Sequence, residues 1–433
     1  MLPTIIISCI TCLLLILSIL FLPKIKIRKV SFNTFWIVAL LGAICILLFT
    51  NLTIKESFEG ITTSSAINPI KILVIFFSMT ILSIFLDEVG FFKFVATLLI
   101  NKCKTNQKIL FLMLYILVSV LTVFTSNDIV ILTFTPFICY FAKSTKINPI
   151  PYLVAEFAAA NTWSMMLIIG NPTNIYLGSY ANITFIDYLD VMFLPTVLAG
   201  CFQLVLMTLM FYKQLSMPIT LEKSHVRVKS RLDLVFGLGH LLVCIIMLII
   251  SSYLNVQMWL ICFICAASLI ISITSSHIIR HKRLKILFKT FKRLPYNLIP
   301  FVLSMFIIVL SLNKNGVMTY ISSLLGNDHI ILKYGITSFL SCNLINNIPM
   351  SVMFASIPQF NNPVDYLKAI YAITIGSNIG AFLTPIGALA GIMFTDLLNR
   401  QQVKYGFKTF IKYGLIISIP TLLVALLGLY ISI

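Results

Sequence analysis

Charge is scarce in this chain, and acid is scarcest: 13 Asp and Glu against 31 Lys and Arg in 433 residues. Only 10% of residues are charged, 59% are hydrophobic, and the mean hydropathy is +1.04. No soluble domain of ordinary size has that composition, so the chain is a polytopic membrane protein. A membrane-embedded enzyme would need clustered acids or a metal constellation, and the few acids form no paired motif. No Walker A pattern occurs, so the chain does not hydrolyse ATP itself. Cys262 and Cys265 make a CxxC inside an apolar helix, with no second pair or histidine nearby to complete a zinc site. The other cysteines, Cys9, Cys12, Cys45, Cys103, Cys139, Cys201, Cys244 and Cys342, read as small hydrophobes scattered through apolar spans. His277 and His281 share a helix face, but beside Arg280, Lys282 and Arg283 they read as part of a solvated basic loop. No catalytic residue, metal site or cofactor is expected, beyond a coupling proton or sodium ion.

What is present is apolar sequence in spans. The expectation is an all-α polytopic membrane protein, with about ten transmembrane helices plus two re-entrant hairpins in two inverted repeats. Residues 1–212 form the first repeat, 213–231 a cytoplasmic linker and 232–433 the second repeat. The net charge of +18 would suggest nucleic acid in a soluble protein, but topology accounts for it here. Of the 31 Lys and Arg, 26 fall on one side of this layout and only Lys55, Lys71, Lys314, Lys333 and Lys368 on the other. By the positive-inside rule both termini are extracytoplasmic. The first span lacks a basic n-region and reads as retained, not as a cleaved signal.

Two polar clusters interrupt hydrophobic stretches. One is Thr125-Ser126-Asn127-Asp128, within a hairpin over 109–141; the other is Asn346-Asn347-Ile348-Pro349, within a hairpin over 330–357. The apolar arms beside the first cluster are too short to cross comfortably, since a crossing takes about 20 residues. Non-helical backbone at that depth must be buried in protein or line a wet cavity, so two such tips imply a site between them. Asn161-Thr162 lies 34 residues beyond Asn127 and Asn378 lies 32 beyond Asn346, while Gly170 and Gly387 each follow nine residues later. Five crossings in each half make the copies inverted, the usual construction of secondary transporters.

The broken helices complete the site. In Gly170-Asn171-Pro172-Thr173-Asn174, glycine frees the backbone and proline removes a donor, so carbonyls become available. Ser377-Asn378, Thr384-Pro385 and Gly387 do the same in the second half. Plain kinking of packed helices is the competing reading. Asp128 at the first tip corresponds to the neutral Asn347 in the second repeat, and an acid present in only one repeat is a coupling residue or, alternatively, a helix cap. Glu156, before Asn161, is the second coupling residue or a neutral packing residue.

Leu86-Asp87-Glu88-Val89-Gly90-Phe91-Phe92, Ser126-Asn127-Asp128, Asn346-Asn347-Ile348-Pro349 and Thr384-Pro385-Ile386-Gly387 together resemble the arsenical pump membrane protein family over nearly the whole chain. That family belongs to a wider ion transporter superfamily with sodium/proton antiporters and citrate or divalent-anion symporters. The resemblance implies that both tips and both breaks form the substrate and ion sites. One position departs: Asn161 stands where arsenite pumps typically carry an acid, and 170–174 resembles the citrate-type members more. The expectation is therefore a secondary transporter of a small anion or oxyanion in the plasma membrane. Proton-coupled arsenite or antimonite efflux leads, with a sodium-coupled citrate or dicarboxylate transporter or a sodium/proton antiporter as alternatives. Expected partners are the anion and membrane lipid, not nucleic acid; a homodimer and a cytoplasmic ATPase subunit on the basic loops stay open.

Overall fold

Apolar runs of this length satisfy their backbone inside a bilayer only as helices, and helices are what nearly the whole chain forms. The computed structural model describes every residue except Met1, Pro23, 28–29, 63–67, 103–105, 219–227 and Asn255. The N-terminal half opens with α1 (Leu2–Phe21), α2 (Thr34–Phe49), α3 (Ile54–Thr62), α4 (Pro69–Val89) and α5 (Phe91–Lys102). It continues with α6 (Gln107–Phe124), α7 (Asn127–Thr145) and α8 (Ile150–Trp163). Two 3-10 turns, Ser164–Met166 and Ile168–Gly170, then lead to α9 (Pro172–Tyr180) and α10 (Phe185–Met210).

The one-turn α11 (Tyr212–Leu215) enters the 213–231 linker, of which 219–227, with His225, lie outside the described residues, as does Cys103. The C-terminal half begins with α12 (Arg231–Leu254), α13 (Met258–Ile279), α14 (Lys285–Lys292), α15 (Leu298–Lys314) and α16 (Val317–Leu325). It ends with α17 (Ile330–Ile345), α18 (Asn347–Ala355), α19 (Pro363–Gly380), α20 (Leu389–Arg400) and α21 (Phe407–Ser432).

The fold class is all-α, with one addition. Lys24–Ile27 and Val30–Asn33 pair as a short antiparallel ribbon, in a stretch that reads from sequence as a basic loop. Six helices are long and apolar enough to cross a membrane, α4, α6, α10, α12, α13 and α21, and α15 with α16 makes a seventh span bent by 76°. Among the described residues, α4, α10, α12, α13, α15 and α21 account for six of the expected ten crossings, and the other four fall on α1, α2 and the two broken helices; α6 belongs to the first hairpin.

The first hairpin departs from expectation in its arms. At 18 residues α6 alone is long enough to cross, about 27 Å at 1.5 Å per residue. What makes it a hairpin is direction. Along α6, Gln107 takes a hydrogen bond from Tyr152 and Tyr115 one from Trp163, so α6 runs parallel to α8. Along α7, Asn127 donates to Asn161 and Thr135 to Glu156, so α7 runs antiparallel to α8. The chain therefore turns back at Thr125-Ser126.

The second hairpin follows the same logic on α19. Asn343 of α17 donates to Gly380 O, and a Cβ at Gly376 would fall on Ser338 Oγ and Gly335 O, so α17 runs parallel to α19. Ser351 of α18 meets Ser377, while Asn347 N donates to Gly387 O beyond the helix, so α18 runs antiparallel. Gly376 and Gly380 form a small-xxx-small face that lets two backbones touch; a Cβ at Gly380 would meet Cys342 Sγ.

Packing between the halves is reciprocal. α2 lies on α15 and α4 on α13; α7 lies on α20 and α18 on α9; α10 lies on α21. The connections obey the same exchange, with charges swapped. Arg293, after α14, pairs with Asp87 and Glu88 at the end of α4, each at 2.7 Å. Lys314, at the end of α15, pairs with Glu56 of α3 at 2.7 Å. His277 corrects the solvated-loop expectation: it is buried, with Nε2 3.1 Å from Asp233, which also takes Arg280 at 3.0 Å. Helix packing closes α12 and α13 over these groups, which sequence spacing cannot foresee. Val235, Leu242 and Val243 of α12, with Phe263, Ile264 and Ile271 of α13, face outward as a lipid-compatible surface.

Candidate transport site between the hairpin tips

At the first tip, Ser126 precedes α7 but makes no side-chain cap bond, and its Oγ is buried without a partner. Asn127 does two jobs: its Oδ1 accepts Asp128 N at 2.9 Å, and its Nδ2 donates to Asn161 Oδ1 at 3.1 Å. Asn161 in turn donates to Phe157 O at 2.8 Å, so its carbonyl is aimed at the tip. Asp128 is half-buried in the first turn of α7, and no described side chain bonds to its carboxylate. It does not cap the helix.

The first break packs against the second. Asn378 Oδ1 accepts from Asn171 at 2.9 Å and from Ser164 at 3.1 Å, while its Nδ2 donates to Asn174 at 2.6 Å. Asn174 donates to the Ser164 and Leu167 carbonyls in the 3-10 stretch, at 2.9 and 3.2 Å. Asn171 also caps α9 by accepting from Thr173 N, whose hydroxyl lies 3.4 Å from Asn174. Gly170 has to be glycine, because a Cβ there would run into Ser164 O. Asn161, Ser164, Asn174 and Asn378 are all fully buried. Each such amide would cost a desolvation penalty if left unpaired.

At the second tip, Asn346 sits at φ 71° and ψ 152°, a strained backbone conformation otherwise nearly reserved for glycine. Its Nδ2 donates to Ile386 O at 2.9 Å, and Asn347 N donates to Gly387 O at 2.9 Å, which fastens this tip to its own break. Thr384 donates its N and hydroxyl to Asn343 Oδ1 at 3.1 and 2.7 Å. Ser377 meets Ser351 at 3.3 Å.

The structure thus gathers Asn127 with Asn161, and Asn171, Thr173 and Asn378 around one buried amide cluster, with Asn346, Asn347 and Thr384 around the second break. Thr162 is turned away: it accepts from Gln203 of α10, in a network with Tyr115 and Trp163. Glu156 is fully buried and away from the tips; Thr135 Oγ1 donates to its carboxyl oxygens at 3.0 and 3.1 Å. Cys342 is buried under the second tip, with Sγ on Phe339 O at 3.2 Å. Sequence reasoning missed Ser164 and Asn343 as site residues. Asn343 stands one helical turn before Asn346 and Asn347, a spacing that could have revealed it. Ser164 carried no such signal, because the 3-10 turn that points it at Asn378 is a tertiary outcome.

Two opposed hairpins, two broken helices and a shared buried polar layer define a secondary anion transporter, a multi-pass membrane protein. The chain belongs to the citrate transporter family, whose model matches residues 19–374. An arsenical pump membrane protein of Escherichia coli is 24% identical over 373 residues, covering 82% of this chain and 84% of that one. A putative arsenical pump membrane protein of Bacillus subtilis is 25% identical over 429 residues, covering 90% and 93%. Among solved structures, the Alcanivorax borkumensis YdaH transporter shares the fold with a TM-score of 0.54 at 14% identity, over 99% of this chain and 97% of that one.

Proposed function

We propose that the chain exports arsenite or antimonite in exchange for protons, binding its substrate between the two tips and the two breaks. The observation that carries this reading is the buried polar lining: amides and hydroxyls, with no Lys or Arg at either tip. Trivalent arsenic at neutral pH is mainly an uncharged hydroxide, which needs hydrogen-bond partners and no counter-charge. The relatives named as arsenical pumps support the same substrate. In this reading Ser126, Asn127, Asn161, Gly170, Asn171, Thr173, Asn346, Asn347, Ser377, Asn378 and Thr384 bind, Thr162 supports from behind, and Asp128 and Glu156 carry the coupling proton. The protein is read as a transporter without catalytic residues or bound metal.

The layout belongs to the same proposal. Residues 1–212 and 232–433 are inverted repeats in the plasma membrane, joined by a cytoplasmic linker, with both termini outside. The exchanged packing and the charge-swapped ion pairs support it: the cytoplasmic connection supplies the base, Arg293, and the outer one the acid, Glu56. Membrane lipid covers the outward leucines and isoleucines, and the basic loops are the docking surface for any ATPase subunit; a homodimer would form within the bilayer.

A second reading has its own support. The matching family model is described as a citrate transporter, and the N-termini of α7, α9 and α18 offer positive dipole ends to a carboxylate, with sodium as counter-ion. A sodium/proton antiporter shares the coupling acids but would carry no anion. Growth and vesicle assays in a transporter-deficient host separate these readings. Arsenite resistance, with proton-driven arsenite uptake into everted vesicles, is expected. Full arsenite sensitivity alongside sodium-dependent citrate uptake would overturn the arsenite reading.

A further inference from the structure

Glu156 is the most deeply buried acid of the described residues, and nothing at the tips bonds to it. Its partner is Thr135 of α7, and one helical turn further along the same face of α7 stands Cys139. Cys139 has Glu156 in its electrostatic surroundings and also lines a groove of about 390 Å³. The groove opens at the foot of the first hairpin, between the end of α7, the 147–150 turn and residues 401–404. Lys143, Asn148, Gln401 and Lys404 make its walls polar enough to hold water. One turn of helix, about 5.4 Å of axis, therefore separates the groove floor from the Thr135 level. In the other direction Glu156 stands five residues, about 7.5 Å of axis, before Asn161 and the first tip.

From this placement we propose that the groove is a proton port: Glu156 exchanges its proton with water on the basic-loop side, by way of the Thr135 hydroxyl, independently of Asp128 at the tip. This rests on the proton-coupled reading and adds the route. The exchange runs both ways: the carboxylate takes up the proton of a groove hydronium, which is left as water, and in the export cycle the carboxylic acid gives its proton to a groove water, leaving hydronium. Thr135 relays uptake by donating its own hydroxyl proton to Glu156 while accepting one from the groove hydronium, and release runs the same steps backwards.

The groups facing this step from the packed elements are few. α7 supplies Thr135 and Cys139; Tyr115 of α6 is committed to Gly200 and Gln203. Gln203 of α10 is held by Thr162, and α19 presents the uncharged Asn378. No Lys, Arg or His of the described residues forms an ion pair with Glu156.

The test uses full-length protein in proteoliposomes and infrared difference spectra after a pH jump on the basic-loop side. A protonated-carboxyl band should respond, be absent in Glu156→Gln and shift in Thr135→Val, with Thr135→Ser restoring it. Attaching a bulky maleimide to Lys143→Cys, an exposed groove position, should abolish the prompt response; the same reagent on protein without that cysteine should not. A band that titrates as before with the groove blocked would overturn the port. So would a band unaffected by Glu156→Gln, provided that Glu156→Asp folds and gives the same spectrum. The coupling reading fails separately: if the port behaves as stated, yet Glu156→Gln still extrudes arsenite under a proton gradient, Glu156 titrates without coupling.

Discussion

Asn378 ties the second half of the site to the first break, and its removal makes a quantitative test. Its amide accepts from Ser164 and Asn171 and donates to Asn174 and Thr374 O, with distances from 2.6 to 3.1 Å. Hydrogen bonds between membrane helices average about 0.6 kcal/mol each, so the three that leave α19 contribute about 1.8 kcal/mol. Asn378→Ala also strands the Asn171 donor, an unsatisfied group worth about 1–3 kcal/mol. The expected loss is therefore about 3–5 kcal/mol of unfolding free energy in detergent titration. A double-mutant cycle isolates the shortest bond: Asn174→Ala with Asn378→Ala should show coupling of about 0.6–1.7 kcal/mol. Substrate exchange in proteoliposomes should fall with it, because Asn378 ties the first break to the second. A single-mutant loss below about 0.5 kcal/mol, within the range of ordinary surface changes, would refute the reasoning.

Four further outcomes are expected. Asp128→Asn should retain substrate exchange while gradient-driven extrusion collapses; unchanged pH and sodium dependence would remove Asp128 from coupling. Lys285→Cys should be labelled only from the cytoplasm and Asn361→Cys only from outside, and labelling of both from one face would break the inverted layout. Cys342→Ser should alter arsenite affinity modestly and leave transport intact, whereas Asn346→Ala should reduce transport of either substrate, both read by initial rates. Outside the membrane, hydrogen bonds from Lys314 and then Thr53 hold Glu56 down from 4.5 to about 2. The pair's stabilisation is thus fully present above pH 4.5 and lost as pH falls towards 2. The melting difference between wild type and Lys314→Met should be flat above that window and close within it; a difference that persists at its lower end would assign Lys314 another role.

Sequence alone determined that this chain lives in a membrane, where its polar interruptions lie and which motifs recur between its halves. The reason is that the bilayer is an exacting solvent. Lys, Arg and Asp are tolerated only at edges or at functional depth, so position along the chain reports position in space. The tips at Ser126-Asn127 and Asn346-Asn347 and the breaks at Gly170 and Thr384-Pro385 were legible for that reason. Only tertiary structure decided that Asn378 reaches Asn171 and Asn174, more than 200 residues away, and that Thr162 turns to Gln203 instead of the site. It also decided that Cys244, whose thiol donates to Met79 at 3.8 Å, packs between α12 and α4. Spacing on one helix fixes which face a side chain occupies. Which other helix meets that face depends on how twenty-one helices share one buried volume, a choice made by packing and by the need to satisfy each buried amide.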